Sequence, residues 1–167
     1  MSGVAYRAVS LRYHARALSP RGAREHAGRF NRKGTSALYL GRSPLTAVQE
    51  YYASEEHTPL VLIPVRYRLK RVIDITGDLA GWSEDWQQWE CDWRAALSSA
   101  DEVPDCASWR CGDDAIQRKA SSILYPSKYD PSGTALAIFT EDAVLGTCTI
   151  EVQDPFETIS DANPLGV

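Results

Sequence analysis

Apolar and polar positions alternate from Val4 to Leu11, which predicts a first strand with Tyr6 and Arg7 at its middle. The alternation then stops. The stretch from His14 to Gly34 is rich in Arg, Gly, Ala and small polar residues and reads as a long functional loop. Within it, Ser19-Pro20 can start a short helical turn, because proline is tolerated at the first helical position. Gly28 and Gly34 bracket its last part, where glycine permits a tight turn or close approach to a ligand. Ala37-Leu38-Tyr39-Leu40 is a short buried strand that Gly41 ends. Ser43 and Pro44 are an N-cap and a first helical residue, and the helix runs from Pro44 to about Ser54. Leu45, Val48 and Tyr52 share one of its sides, whereas Glu50 lies on a different face, turned toward the end of the preceding strand.

The second half continues the mixture. Leu60 to Tyr67 is a strong strand, with Pro64 favouring an edge or a bulge. Val72 to Ile75 is another strand, followed by a turn at Thr76-Gly77. Trp82, Trp86, Trp89 and Trp93 recur at spacings of four, three and four, which predicts one helical stripe facing the core, the alternative being a docking face. Ser98 to Gly112 reads as a loop, Asp113 to Ala120 as a short helix, and Ile123 to Ser127 as a strand broken by Pro126. Thr134 to Thr140 and Leu145 to Val152 alternate well and predict a hairpin across Glu141 to Val144. The tail DANPLGV is polar and carries no pattern. Strands and helices in this irregular order argue for an α+β fold rather than regular βαβ winding.

Composition narrows the class. A chain of 167 residues, 44% hydrophobic and 24% charged, fits one globular domain spanning residues 1–167. No apolar run approaches the roughly 20 residues of a membrane span, and the N-terminus has no signal-peptide pattern, so the expected compartment is the cytosol. Cys91, Cys106, Cys111 and Cys148 form no CxxC pair and have no histidine nearby, which predicts reduced, mostly buried thiols and no metal site. Residues 1–49 hold eight Arg and Lys33 against Glu25 alone, although the whole chain carries a net charge of −4. That asymmetry predicts either phosphate attraction or pairing with the acidic remainder of the chain. Direct nucleic-acid binding is not expected, because the basic cluster lacks interleaved aromatic platforms and the chain is acidic overall.

The segment from Gly28 to Tyr52 thus offers a guanidinium (Arg29), an aromatic ring (Tyr39) and one helix-borne carboxylate (Glu50) from three consecutive elements. This set suits cleavage of a nicotinamide N-glycoside. Nicotinamide already carries positive charge on its ring nitrogen and leaves neutral, so no general acid is needed. One carboxylate can stabilise the oxocarbenium ion on the ribose, whereas ordinary glycosidases generally use two. Arginine forks suit a pyrophosphate.

The string GRFN-x2-G-x3-LYLG-x-SPLTAVQE, with Tyr6-Arg7 before it and Tyr125-Pro126-Ser127 after it, resembles the RES-domain family, the toxins of RES–Xre toxin–antitoxin pairs. The resemblance covers roughly residues 4 to 152. It implies a split mixed β-sheet similar to that of ADP-ribosyltransferases, with a cleft for NAD as substrate. It also implies Glu50 as the catalytic carboxylate, with Arg7 and Arg29 on the phosphates or ribose. Tyr39 would lie against the nicotinamide, Ser127 on the nicotinamide side or ribose, and Asn31 would be a secondary contact. Phe30 stands where the family often has Trp. The implied activity is that of a toxin transferring ADP-ribose from NAD to a host protein. One branch of the family is associated with ribose-phosphate pyrophosphokinase. The alternative is hydrolysis or phosphorolysis of NAD. A non-catalytic binding module is the reading from another class. The implied partner is a helical, DNA-binding Xre-type antitoxin.

Overall fold

The computed structural model describes residues 1–53, 58–98, 104–140 and 148–154. Its frame is a seven-stranded mixed sheet in the order β4-β5-β6-β2-β1-β3-β7. The strands are β1 (Ser2–Ser10), β2 (Ala37–Gly41), β3 (Leu60–Arg68), β4 (Val72–Asp74), β5 (Ser122–Pro126), β6 (Thr134–Phe139) and β7 (Thr149–Val152). Only β4 and β5 run parallel; every other pair is antiparallel. β1 and β3 pair along nine residues, but β1 meets β2 at one register position, Tyr6 opposite Gly41. The sheet is therefore split between β1 and β2, in the α+β arrangement expected.

Successive strand residues point to opposite faces, and each face has its own core. One face carries Ala5, Val9, Leu38, Leu40, Ile63, Val65, Leu136 and Ile138, closed over by Ala17 and Leu18. The other carries Ala37, Ile123, Tyr125, Ala135, Ala137 and Phe139, packed against Phe30, Trp86, Trp89, Cys111 and Ala115. Among the described residues five α-helices flank the sheet: α1 (Arg21–His26), α2 (Pro44–Tyr52), α3 (Glu84–Gln87), α4 (Trp93–Leu97) and α5 (Ala107–Gln117).

Helix α2 begins as the sequence dictates. Ser43 is its N-cap, the Ser43 hydroxyl accepts the Thr46 N–H at 3.0 Å, and Pro44 opens the first turn. Its buried side, however, is Thr46, Ala47 and Tyr51. Leu45 and Tyr52, on the apolar side read from spacing, are 58% and 43% exposed. Residue size explains the reversal. Gly41 lies so close to the helix that a Cβ there would fall 2.4 Å from the Ala47 nitrogen, and only small residues fit that contact.

Other expectations are corrected. A 3-10 helix at Leu11–Arg16 runs into the stretch read as a loop from His14, while α1 follows Ser19-Pro20, where a short helical turn was expected. The tryptophans share no single helix, because α3 ends at Gln87 and α4 starts at Trp93. Trp86 and Trp89 are core residues; Trp82 packs partly on that core, and Trp93 lies half-buried under the Arg94 guanidinium. α5 takes in residues 107–112, read as loop, and ends before Ala120. β6 and β7 form no hairpin: β6 lies between β5 and β2, and β7 pairs with β3 across the sheet. The expected turn at 141–144 and the tail after 154 lie outside the described residues. Pro64 sits just beyond the stretch of β3 that pairs with β7, whose last partner is Val65. All four cysteines are free thiols, but only Cys111 is fully buried, and burial pushes its thiol up to about 12.

Candidate active site

The GRFN loop is built as a plug between the sheet and α5. Trp109 of α5 donates its indole N–H to the Gly28 carbonyl at 2.8 Å. Gly112 faces the Phe30 carbonyl so closely that a Cβ would stand 1.9 Å from that oxygen. Phe30 packs edge-on against Tyr125, and its ring centroid lies 5.8 Å from that of Trp89. Asn31 fixes the loop from within. Its side-chain nitrogen lies at 2.8–3.1 Å from the carbonyls of Ala23, Arg32 and Thr35, and its oxygen accepts the Tyr39 hydroxyl at 2.7 Å. Asn31 is 1% exposed, and its side chain braces the loop.

Arg29 has the opposite character. It is buried, at 8% exposed, with its guanidinium 5.7 Å from the centre of the Trp89 ring. Its Nη1 is buried and has no hydrogen-bond partner. A donor left in that state costs about 1–3 kcal/mol, so the position suits an acceptor that arrives with a ligand. Arg32, three residues on, is neutralised within the fold by Asp105 and Asp113. The basic N-terminal stretch thus divides. Arg32 pairs with the acidic half of the chain, Arg21 pairs locally with Glu25, and Arg29 makes no ion pair among the described residues.

Tyr39 of β2 points to the same face as Tyr125 of β5, with Ala135 and Ala137 of β6 between them. The Tyr39 hydroxyl also accepts the Phe30 N–H at 2.9 Å, so its polar end is committed to the loop. Burial holds both phenols well above the usual tyrosine range, and both stay neutral. The Glu50 carboxylate raises Tyr125 further, while the Arg29 guanidinium opposes that shift. Tyr125 is therefore the residue that feels Glu50, Tyr39 and Arg29 together.

Glu50 lies on α2 four residues after Thr46, on the helix side turned to the sheet. The Ser127 hydroxyl donates to its Oε1 at 2.6 Å. Ser127 follows β5 directly, and its Oγ accepts the N–H groups of Tyr129 and Asp130 at 3.2 and 3.1 Å. With two backbone donors on the oxygen, the hydroxyl proton is directed at Glu50.

Arg7 is not brought into this group. It lies opposite Ile63 on the face that carries Ala5 and Val9, across the sheet from Tyr39. Its Nη1 donates to the carbonyls of Ala17 and Ser19. Burial lowers its guanidinium below the usual arginine range. Tyr6, its neighbour, takes the opposite face and stands in register with Gly41 at the split. Tyr6 and Tyr125 are residues that the sequence motifs include but to which sequence reasoning gave no role. Strand parity gave the available signal, since alternate residues of β1 and β5 must point to opposite faces.

Among the described residues no group of three His, Cys, Asp or Glu is placed to hold a metal, and no helix is long and apolar enough to cross a membrane. A depression of about 460 Å³ beside Ser2, Val4, Arg66, Arg68 and Glu151 contains none of the groups above.

The fold has a counterpart among solved structures. The toxin–antitoxin complex MbcT–MbcA of M. tuberculosis contains a chain that superposes with a TM-score of 0.60 at 20% identity, covering 92% of this chain and 82% of that one. No curated protein matches the sequence. Residues 4–157 match the RES domain, which takes in every strand and helix of the fold except the first two residues of β1. The chain belongs to the RES domain family.

Proposed function

We propose that this protein is an NAD-consuming toxin that breaks the nicotinamide–ribose bond and transfers ADP-ribose to a protein of the host cell. The observation that carries the reading is the Glu50 carboxylate, bound at 2.6 Å by a serine whose oxygen accepts two backbone N–H groups and whose proton points at Glu50. On the reacting ribose, the C1′–N bond breaks and its electron pair goes to the nicotinamide nitrogen. Positive charge develops on C1′ and the ring oxygen, and Glu50 stabilises it. Arg29 supplies a fixed positive charge with an unused donor, which fits an oxygen of the pyrophosphate or ribose. Tyr39 offers only its ring, because its hydroxyl is engaged. The acceptor's nucleophile then bonds to C1′ and loses its proton. NAD is a substrate here, and no metal is invoked.

The partner would be an antitoxin protein, as in the complex formed by the similar chain. The test begins with nicotinamide release from NAD. Glu50→Gln should lower it by about a hundredfold or more while leaving the thermal midpoint within a few degrees. Full turnover in Glu50→Gln would refute the role. Labelled ADP-ribose then decides the fate of the other half. Label on a protein supports transfer, whereas label found only as free ADP-ribose in cell extract would replace transfer with hydrolysis.

A further inference from the structure

Glu50 and Ser127 form one link between α2 and the turn after β5. A second joins Thr46 to Asp130: the Thr46 hydroxyl donates to Asp130 Oδ2 at 2.6 Å. Thr46 is fully buried and Asp130 is 5% exposed. The links are one helical turn apart on α2 and three residues apart on the turn, so they lie side by side. They also share a residue. Asp130 holds Thr46 with its carboxylate and Ser127 Oγ with its backbone N–H at 3.1 Å.

The turn is closed on itself. The Ser127 N–H donates to the Gly133 carbonyl and the Gly133 N–H to the Asp130 carbonyl, both at 2.9 Å. The Ser132 hydroxyl donates to Asp130 Oδ1 at 3.2 Å. A Cβ at Gly133 would fall 2.3 Å from Asp130 Oδ2 and 2.4 Å from Thr46 Oγ1, so only glycine lets the turn seat on the helix. No lysine, arginine or histidine forms an ion pair with Asp130 among the described residues. Its carboxylate instead meets the first turn of α2 through the Thr46 hydroxyl, near the helix N-terminus whose dipole favours an anion.

We propose that Thr46 and Asp130 are positioning residues: by locking the 127–133 turn onto α2 they aim the Ser127 hydroxyl at Glu50. The inference rests on the reading of Glu50 as the reacting carboxylate. It explains why a buried carboxylate with neutral partners is kept here. Without it, the turn that carries Ser127 would lose a buried hydrogen bond to the helix, and the proton aimed at Glu50 would be less firmly placed. Displacements of about 1 Å cost roughly a hundredfold in rate where geometry controls the step.

The experiment compares Thr46→Val, which removes the hydroxyl at constant shape, with Thr46→Ser, which keeps it. Two readouts are taken, nicotinamide release from NAD and amide hydrogen exchange by NMR. In Thr46→Val the Tyr129 and Asp130 amides exchange at least about tenfold faster, while the Leu38 and Ile138 amides in the sheet keep their rates. The kcat for release falls about tenfold or more with KM for NAD changed by less than about twofold. Thr46→Ser recovers most of both losses. Asp130→Asn, a weaker acceptor of the same shape, gives the same pattern in smaller measure. In a Ser127→Ala background, adding Thr46→Val lowers kcat little further, because the two act through one contact.

Independent, multiplying losses in that cycle would overturn the inference. So would faster exchange with unchanged kcat, or unchanged exchange at Tyr129 and Asp130. A wild-type protein that releases no nicotinamide would overturn the reading of Glu50 instead, and the exchange rates would still decide whether the lock exists.

Discussion

Arg29 and Asn31 stand two residues apart in one loop and do opposite work. Asn31 satisfies both polar atoms of its side chain, whereas Arg29 carries a buried Nη1 that the fold does not satisfy among the described residues. The difference yields a test with contrasting outcomes. Arg29→Met loses the guanidinium over Trp89 but also deletes the orphaned Nη1 donor and keeps an apolar chain of similar length, so the thermal midpoint should stay within a few degrees. NAD turnover should fall at least about tenfold. Asn31→Ala should cost about 2–4 kcal/mol in urea unfolding, because it abandons the carbonyls of Ala23, Arg32 and Thr35 and one acceptor for Tyr39. If Arg29→Met destabilised the protein as much as Asn31→Ala, Arg29 would be a strut rather than a ligand group. The sequence alone offered both residues as NAD contacts. Residue type cannot tell an arginine awaiting an acceptor from an asparagine already surrounded by them. That distinction depends on where three carbonyls of the same loop fold back.

At the scale of elements, the sequence was legible where a local signal fixes the outcome. Ser43-Pro44 placed the start of α2, and the apolar runs placed β2, β3 and β5 within one or two residues. It misled where packing overrides pattern. The four tryptophans keep helical spacing across two helices and a turn, because Trp86 and Trp89 each reach the same core from different segments. The apolar side of α2 is outward because Gly41 admits only a small residue opposite it. Helix α5 hid behind Ser108 and Gly112, poor helix formers that are there for contact. Ser108 is buried against Cys91 and Cys106, and Gly112 is pressed on Phe30. Gly112→Ala should therefore destabilise the protein by about 3 kcal/mol or more, although alanine favours helices by about 1 kcal/mol. It should lower NAD turnover too, by shifting the loop that carries Arg29. Circular dichroism with urea titration checks the first effect. A neutral or stabilising Gly112→Ala would mean that α5 does not press on the loop.

For the molecule as a whole, the split sheet was foreseen through the family resemblance, whereas the strand order was not. Which strands pair over long separations, such as β3 with β7, is set by two cores that cover opposite faces. Those cores enclose titratable groups whose shifts add across the fold. Tyr39 and Tyr125 are raised by burial, and Cys111 is pushed up to about 12, all on one face; Arg7, lowered by burial, lies on the other. A group raised in the folded state contributes stability below its unfolded value and loses it above. Unfolded tyrosine ionises near pH 10 while the buried phenols stay protonated, so each lowers stability by about 1.4 kcal/mol per pH unit from there upward. Cys111 acts in the same sense from about pH 8.5 to 12. Arg7 keeps its proton, which it donates to the Ala17 and Ser19 carbonyls, and does not offset this loss. The three groups act together, and stability should fall steeply above pH 10. Urea midpoints measured from pH 8 to 11.5 should show that limb. Tyr39→Phe should start lower at pH 8, having lost its bonds to Asn31 and Phe30, and should fall less steeply beyond pH 10. Parallel limbs for Tyr39→Phe and wild type would mean that Tyr39 ionises as readily folded as unfolded. Its hydroxyl could then not be sealed between the GRFN loop and the sheet.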